Sequence, residues 1–272
     1  MTRDSGPQPF DGAAPSYDAD FSATALGRRL RERVWELLDG VLPPTGRFLD
    51  LGCGTGEDVL WLARRGARQV VGCDASPAML AAAGDKVAAA GVADRVELRR
   101  LDLNRIATAP VPAEAPFDGA VSNFGAVNCV EDRRSLAATL ARWLAPGAPL
   151  VVVVMGRWCA WEIGWHLLRL EPGAALRRLR QGREVPLPGG GRVRVFYPPP
   201  RTLRRELEPG FEHLATAGIG AFLPPPYLAR VMARRPRLLA ALGGLEARLG
   251  GRLPWSALAD HVALVFIRRP PG

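Results

Sequence analysis

The chain has 272 residues, 48% hydrophobic and 23% charged, so a wholly disordered protein is excluded. No apolar run reaches the roughly 18–20 residues of a membrane span; the longest, Leu150 to Met155, is strand-sized. The net charge of +9 is uneven: residues 1–156 carry 17 basic and 19 acidic side chains, whereas residues 157–272 carry 19 and 8.

Residues 1–15 are rich in Pro, Gly and Ala and are expected to be poorly ordered. Ser22 is a candidate cap for a helix to about Leu38, with Leu26, Leu30, Val34 and Leu38 on one stripe. RFLDLG (47–52) reads as an apolar strand that breaks into GCGTG. A helix follows from Glu57 to Arg65. QVVGCD (69–74) is a second strand. Ser76 and Pro77 then open a helix to about Ala90. RVELRRLDL (95–103) and FDGAVSNF (117–124) are the third and fourth strands. Asp132 caps a helix to Leu144, and PLVVVVM (149–155), apolar on both faces, is the fifth strand. This alternation predicts an α/β fold with a doubly wound, mostly parallel sheet.

After Gly156 the texture changes. Residues 157–181 read as helix, RVRVFYPPP (192–200) as a strand, and Thr202 to Leu207 as a short helix. Residues 213–223 and 261–269 read as two strands flanking a helical segment at 227–250. The expected organisation is a core at 16–156, an inserted cap at 157–210 and closing strands within 211–272.

Four features point to a nucleoside ligand. Gly52, Gly54 and Gly56 follow the first strand and precede a helix, which lets the backbone turn tightly and a ligand approach. Glu57 stands where a dinucleotide site has its third glycine, and its carboxylate would repel a pyrophosphate. Asp74 ends the second strand, where an acid accepts both ribose hydroxyls; Asp102 follows the third, suited to an adenine amino group. SNFGAVN (122–128) ends the fourth strand, where ligands of such sheets meet.

Taken in order, FLDLGCGTGEDVLWLA, VVGCDASPAML, VELRRLDL, FDGAVSNFGAVN and LAPGAPLVVVV resemble the motifs of class I S-adenosylmethionine-dependent methyltransferases. The flavour is that of the small-molecule branch, with ubiquinone-, menaquinone-type and natural-product enzymes. The resemblance covers about residues 17–155. It implies a seven-stranded Rossmann-like sheet with a cap after the fifth strand, S-adenosylmethionine as cofactor and a small-molecule acceptor. It also implies roles. Gly52, the Cys53 main chain and Gly54 would line the methionine moiety, and Asp74 would hold the ribose. Ala75 and Met79 would flank the adenine, with Asp102 and Leu103 at its edge. Ser122 and Asn123 would face the amino-acid end, Tyr17 would lie over the cofactor, and Arg28 would reach the carboxylate. Asp50 and Gly52 also suit plain turn chemistry.

For the acceptor, Trp158, Trp161, Trp165 and Leu168 share one helix face, with Glu162 and His166 on the neighbouring stripe. These residues suit a helix core. They also suit an aromatic wall with His166 as base and Glu162 orienting it. Should that face lie away from the cofactor, the pocket belongs near Phe124, Tyr197 and Tyr227. Cys53, Cys73, Cys129 and Cys159 form no metal-binding spacing, so no metal is expected. Without a signal-peptide pattern, a cytoplasmic protein with reduced thiols is expected. The cationic half is compatible with membrane-surface association, though nucleic acid is not the expected partner. The alternatives are an RNA-modifying methyltransferase, or a cofactor-binding protein of the same fold that does not methylate.

Overall fold

The structure, a computed structural model, describes residues 8–270. Seven strands form one sheet in the order β3-β2-β1-β4-β5-β9-β8: β1 (Arg47–Leu51), β2 (Gln69–Asp74), β3 (Val96–Arg100), β4 (Gly119–Ser122), β5 (Pro149–Met155), β8 (Phe211–Ile219) and β9 (His261–Arg268). β1 to β5 run parallel, and β9 inserts antiparallel between β5 and β8. This is the Rossmann-like methyltransferase sheet expected from the motifs. β5 is all apolar because both of its faces are covered; Leu150 to Val154 are each at most 3% exposed.

Helices α1 (Ala14–Tyr17), α2 (Ala25–Val41), α3 (Glu57–Arg65), α4 (Pro77–Ala89) and α5 (Arg133–Trp143) surround the core sheet. Thr24, not Ser22, caps α2: its Oγ1 accepts from the Gly27 N–H at 2.9 Å, while Ser22 ends a π turn. Ser76 caps α4, accepting from the Met79 N–H at 3.1 Å, and Asp132 caps α5. One sheet face buries Phe48, Val121, Val151 and Val265 with the α2 stripe. The other buries Leu49, Leu51, Val152 and Leu264 with α5.

Residues 157–181 are not one helix. α6 (Ala160–Leu168) stops where Leu170 takes φ 59° and Pro172 follows, and α7 (Pro172–Ala175) is a single turn. A separate antiparallel hairpin comes next, β6 (Arg183–Pro186) and β7 (Arg192–Val195). β7 is the first part of the strand expected at 192–200, and α8 (Pro200–Leu207) returns the chain to the sheet. Residues 227–250 break into α9 (Ala229–Ala233), α10 (Pro236–Leu245) and a π turn, because Pro236 donates no amide hydrogen.

The expectation of poor order at 1–15 needs correction. Residues 1–7 lie outside the described residues, but residues 8–15 form a turn that leads into α1. Two contacts hold them. Phe10, Ala13 and Ala14 pack around Met79, and the Asp11 Oδ1 accepts from the Ser76 hydroxyl at 2.5 Å beside the start of α4.

Candidate functional site

The strand order reverses between β1 and β4, and a cavity of about 710 Å³ opens around the carboxyl ends of the strands. That volume falls within the roughly 300–1,000 Å³ of small-molecule sites. One end is lined by Tyr17, Gly52, Gly54, Asp74, Ala75, Met79, Asp102, Leu103 and Asn123. Nine of the twelve residues expected around the cofactor therefore share one cavity.

Local structure explains their placement. Gly52 has φ 74°, and a Cβ there would sit 2.2 Å from the Ala126 Cβ. Gly54 has φ 53°, and a Cβ on it would project into open space, so glycine keeps this part of the cradle clear. Asp74 is fixed by two amides: the Gly54 N–H donates to Oδ2 and the Ser76 N–H to Oδ1, each at 2.9 Å. Burial raises the Asp74 carboxyl above its ordinary value, and these amides partly offset the rise. Asp102 accepts from the Asn104 N–H at 2.9 Å, which turns the chain behind Leu103.

Three expected residues stand apart. The Ser122 hydroxyl is fully buried and donates to the Leu51 carbonyl at 2.8 Å, so it ties β4 to β1 instead of facing the cavity. Cys53 is 8% exposed and lies outside the cavity lining. Arg28 borders a separate, smaller cavity and donates to the Ala23 carbonyl.

Behind the glycine turn lies a buried charge cluster. Arg31 and Trp35 donate to opposite oxygens of Asp58 at 2.7 Å each, and the Asn123 amide donates to Asp58 at 3.0 Å. Phe124, in a left-handed conformation at φ 45°, lies under the Arg31 guanidinium at 4.9 Å. Asp50 has no such support. It is 1% exposed, and neither carboxylate oxygen has a hydrogen-bond partner. Burial, then the Asp58 carboxylate, pushes its carboxyl well above the ordinary range. Asp50 stands two residues before Gly52 and, like Ser122 and Cys53, outside the cavity lining; a buried, unpartnered acid behind the cradle favours a cationic ligand group, such as the ammonium of an amino acid, in the cavity.

The acceptor expectations need more correction. His166, Glu162 and the three tryptophans do not line the cavity. Glu162 does not orient His166: Arg177 and Arg178 each grip the Glu162 carboxylate through two nitrogens, at 2.8–3.2 Å. Burial would raise the Glu162 carboxyl, but those hydrogen bonds hold it below its ordinary value. His166 Nδ1 instead meets Glu171 Oε2 at 2.7 Å. Trp161 donates its indole N–H to the Phe222 carbonyl at 3.0 Å, Trp165 lies beneath Arg169, and Trp158 is 46% exposed. Arginine on the turn after α7 outcompetes histidine for Glu162 because a guanidinium pairs with both oxygens at once.

The far wall comes from the hairpin. Val185, Leu187, Val193, Val195 and Tyr197 face the cavity, with Met155 and Val130 below and Arg177 and Arg183 beside them. Phe124 and Tyr197 therefore border the cavity, as the fallback expectation has it, while Tyr227 lies outside, 6.0 Å from the Arg177 guanidinium. The hairpin tip meets the N-terminal segment so closely that a Cβ on Gly191 would lie 1.9 Å from the Pro9 carbonyl oxygen. Together they roof the cavity. Sequence reasoning passed over this hairpin, although PGGG between Val185–Leu187 and Val193–Val195 is a turn signal between alternating apolar residues.

The sheet, the glycine cradle and the ordered acids define a Rossmann-like nucleoside-binding protein of the methyltransferase type. Residues 48–147 match the methyltransferase domain family. A demethylmenaquinone methyltransferase of Lactiplantibacillus plantarum is 34% identical over 144 residues, 52% of this chain and 59% of that protein. A tRNA 5-carboxymethoxyuridine methyltransferase of Escherichia coli K12 is 31% identical over 145 residues, covering 52% and 54%. An S-adenosylmethionine-dependent methyltransferase structure from Mesorhizobium loti is 25% identical with a TM-score of 0.53, covering 86% of this chain and 97% of the other. Through its core the chain is similar to S-adenosylmethionine-dependent methyltransferases. It spans somewhat over half the length of the curated relatives it matches.

Proposed function

We propose that the protein transfers a methyl group from S-adenosylmethionine to a small hydrophobic or aromatic acceptor, without a metal. One observation carries the reading: a single cavity joins the glycine–acid cradle to an apolar wall of hairpin side chains. When bound, the cofactor supplies an electrophilic methyl on a sulfonium. Asp74 holds the ribose hydroxyls, and Asp102 and Leu103 meet the adenine edge between Ala75 and Met79. The main chain at Gly52 to Gly54 borders the methionine moiety, Asn123 closes that end, and Asp50, buried behind Gly52, attracts the ammonium by its charge. Tyr17 covers the cofactor from the N-terminal side.

The chain's further contribution is position and dryness. Val185, Leu187, Val193 and Val195 exclude water and hold an apolar acceptor in line with the methyl. No histidine lines the cavity among the described residues. Burial pushes the Cys129 thiol up to about 12 and raises the Tyr197 phenol, so neither serves as a base at neutral pH. Glu184, a carboxylate that also lines the cavity, is paired with Arg192 at 3.2 Å; the reading therefore favours an acceptor that is already nucleophilic, such as a neutral amine or an enolate. The tRNA-modifying relative keeps an RNA acceptor as the second reading; the apolar wall weighs against it.

Titration calorimetry with S-adenosylhomocysteine tests the cofactor half, with micromolar binding expected. Absence of heat and of any thermal shift at millimolar ligand would end the proposal. Release of S-adenosylhomocysteine against a panel of apolar amines, phenols and quinols tests the acceptor half. Turnover should survive EDTA; loss on chelation that magnesium restores would overturn the metal-free mechanism.

A further inference from the structure

An apolar edge runs along the outside of the cap, beside the roofed cavity. Leu168 and Leu170 are 86% and 89% exposed at the carboxyl end of α6. Leu170 sits at φ 59°, a left-handed position that glycine fills without steric conflict. A leucine held there leaves most of its side chain exposed. The edge continues through ring contacts. The His166 ring is 6.3 Å from that of Tyr227, 47% exposed. Trp161 bonds to the Phe222 carbonyl, and the Phe222 ring lies 5.1 Å from Trp255, 41% exposed. Exposed apolar side chains gathered on the cap in this way mark an interaction surface.

Charge specifies the partner. Residues 157–183 and 226–258 together hold twelve arginines against three acids, Glu162, Glu171 and Glu246. Glu162 takes Arg177 and the buried Arg178, Glu171 lies 3.3 Å from Arg169, and Asp20, from outside these segments, lies 3.6 Å from Arg230, so the arginines outnumber the carboxylates that pair with them. The Arg169 and Arg230 side chains are 57% and 94% exposed.

We propose that this edge docks on an anionic lipid bilayer. Leu168, Leu170 and Trp255 enter the interfacial zone, and the surrounding arginines meet headgroup phosphates. No helix among the described residues is long and apolar enough to cross a membrane, so the attachment is peripheral. Arg177 links the docking edge to the chemistry, because it lines the cavity and faces Tyr227 from 6.0 Å. An acceptor dissolved in the bilayer then reaches the cavity without crossing water; this step rests on the hydrophobic-acceptor reading proposed above. An RNA-binding surface would present stacking aromatics beside its cations, and bare leucines would gain nothing against RNA.

Vesicle co-sedimentation of the full chain tests the docking and needs no turnover. Phosphatidylglycerol-containing vesicles should sediment the protein, pure phosphatidylcholine vesicles should do so at least about tenfold less, and raised salt should release it. Tryptophan emission should shift to the blue on the anionic vesicles. The double variant Leu168→Ser, Leu170→Ser should lose at least about tenfold in partitioning, while keeping the wild-type melting temperature and S-adenosylhomocysteine affinity. Absence of wild-type binding to anionic vesicles overturns the proposal, as does equal binding by the double variant. Retention of tRNA on filters by both proteins, without vesicle binding, reassigns the surface to RNA and also overturns it. Vesicle binding without methylation of any lipid-soluble acceptor would leave the docking standing and strike the acceptor reading alone.

Discussion

Asp50 offers the sharpest test of the site, because its carboxylate is buried at 1% exposure with both oxygens unpartnered. Its pKa is raised in the folded state, by burial and then by Asp58. Between the unfolded value near 3.9 and that raised value, the folded chain holds a proton that the unfolded chain has released. Stability contributed by Asp50 therefore falls as pH rises through this window, by about 1.4 kcal/mol per pH unit. For a chain of this size each kcal/mol moves Tm by about 2–4 °C. Asp50→Asn keeps the shape and removes the charge. The ligand-free variant should melt several degrees above wild type at pH 8, and the two should converge near pH 4. Cofactor binding should move the other way. Loss of its attraction for the ammonium should weaken S-adenosylhomocysteine, with the roughly 1.5–3 kcal/mol of a charge-assisted hydrogen bond, or about 10–150-fold, as the upper bound. Differential scanning calorimetry across pH and isothermal titration read the two effects. A ligand-free Asp50→Asn protein that melts below wild type at pH 8, or one that binds the product unchanged, would show that Asp50 is not a charge awaiting a cationic ligand.

Three further outcomes are expected. Asp74→Ala should weaken S-adenosylhomocysteine by about 1.5–3 kcal/mol in calorimetry; wild-type affinity would remove Asp74 from the site. His166→Ala should change turnover by no more than about threefold, against the roughly 10²–10⁴ of a lost general base, since its ring pairs with Glu171 outside the cavity. A hundredfold loss would return His166 to the mechanism. Arg178 binds Glu162 and, at 2.6 Å, Asp260; Glu162 keeps Arg177, so Arg178→Met should cost about 3–5 kcal/mol chiefly by leaving the buried Asp260 without a guanidinium. Burial would raise the Asp260 carboxyl, but His261 and Arg178 hold it below its ordinary value. This stability is present above about pH 4 and lost as pH falls below it; an acid melting profile unchanged by Arg178→Met would refute the account.

The sequence by itself determined the core. Regular alternation of apolar strands with capped helices is a local signal, and LDLGCGTG, Asp74 and Asp102 each sit where a strand ends. Once the strands lie parallel, their carboxyl ends share one edge, so residues distant in the chain meet without further instruction. The tertiary structure alone decided the other half of the cavity. Helical spacing placed Trp161, Glu162 and His166 on one element but carried no information on what faces it. Arg177 and Arg178, arriving across a turn, took Glu162, and a hairpin from beyond residue 182 supplied the wall. The same holds for Asp50, whose residue type is legible but whose lack of any partner is not. Burial and pairing are sums over elements far apart in the chain, and no periodicity along one element encodes them.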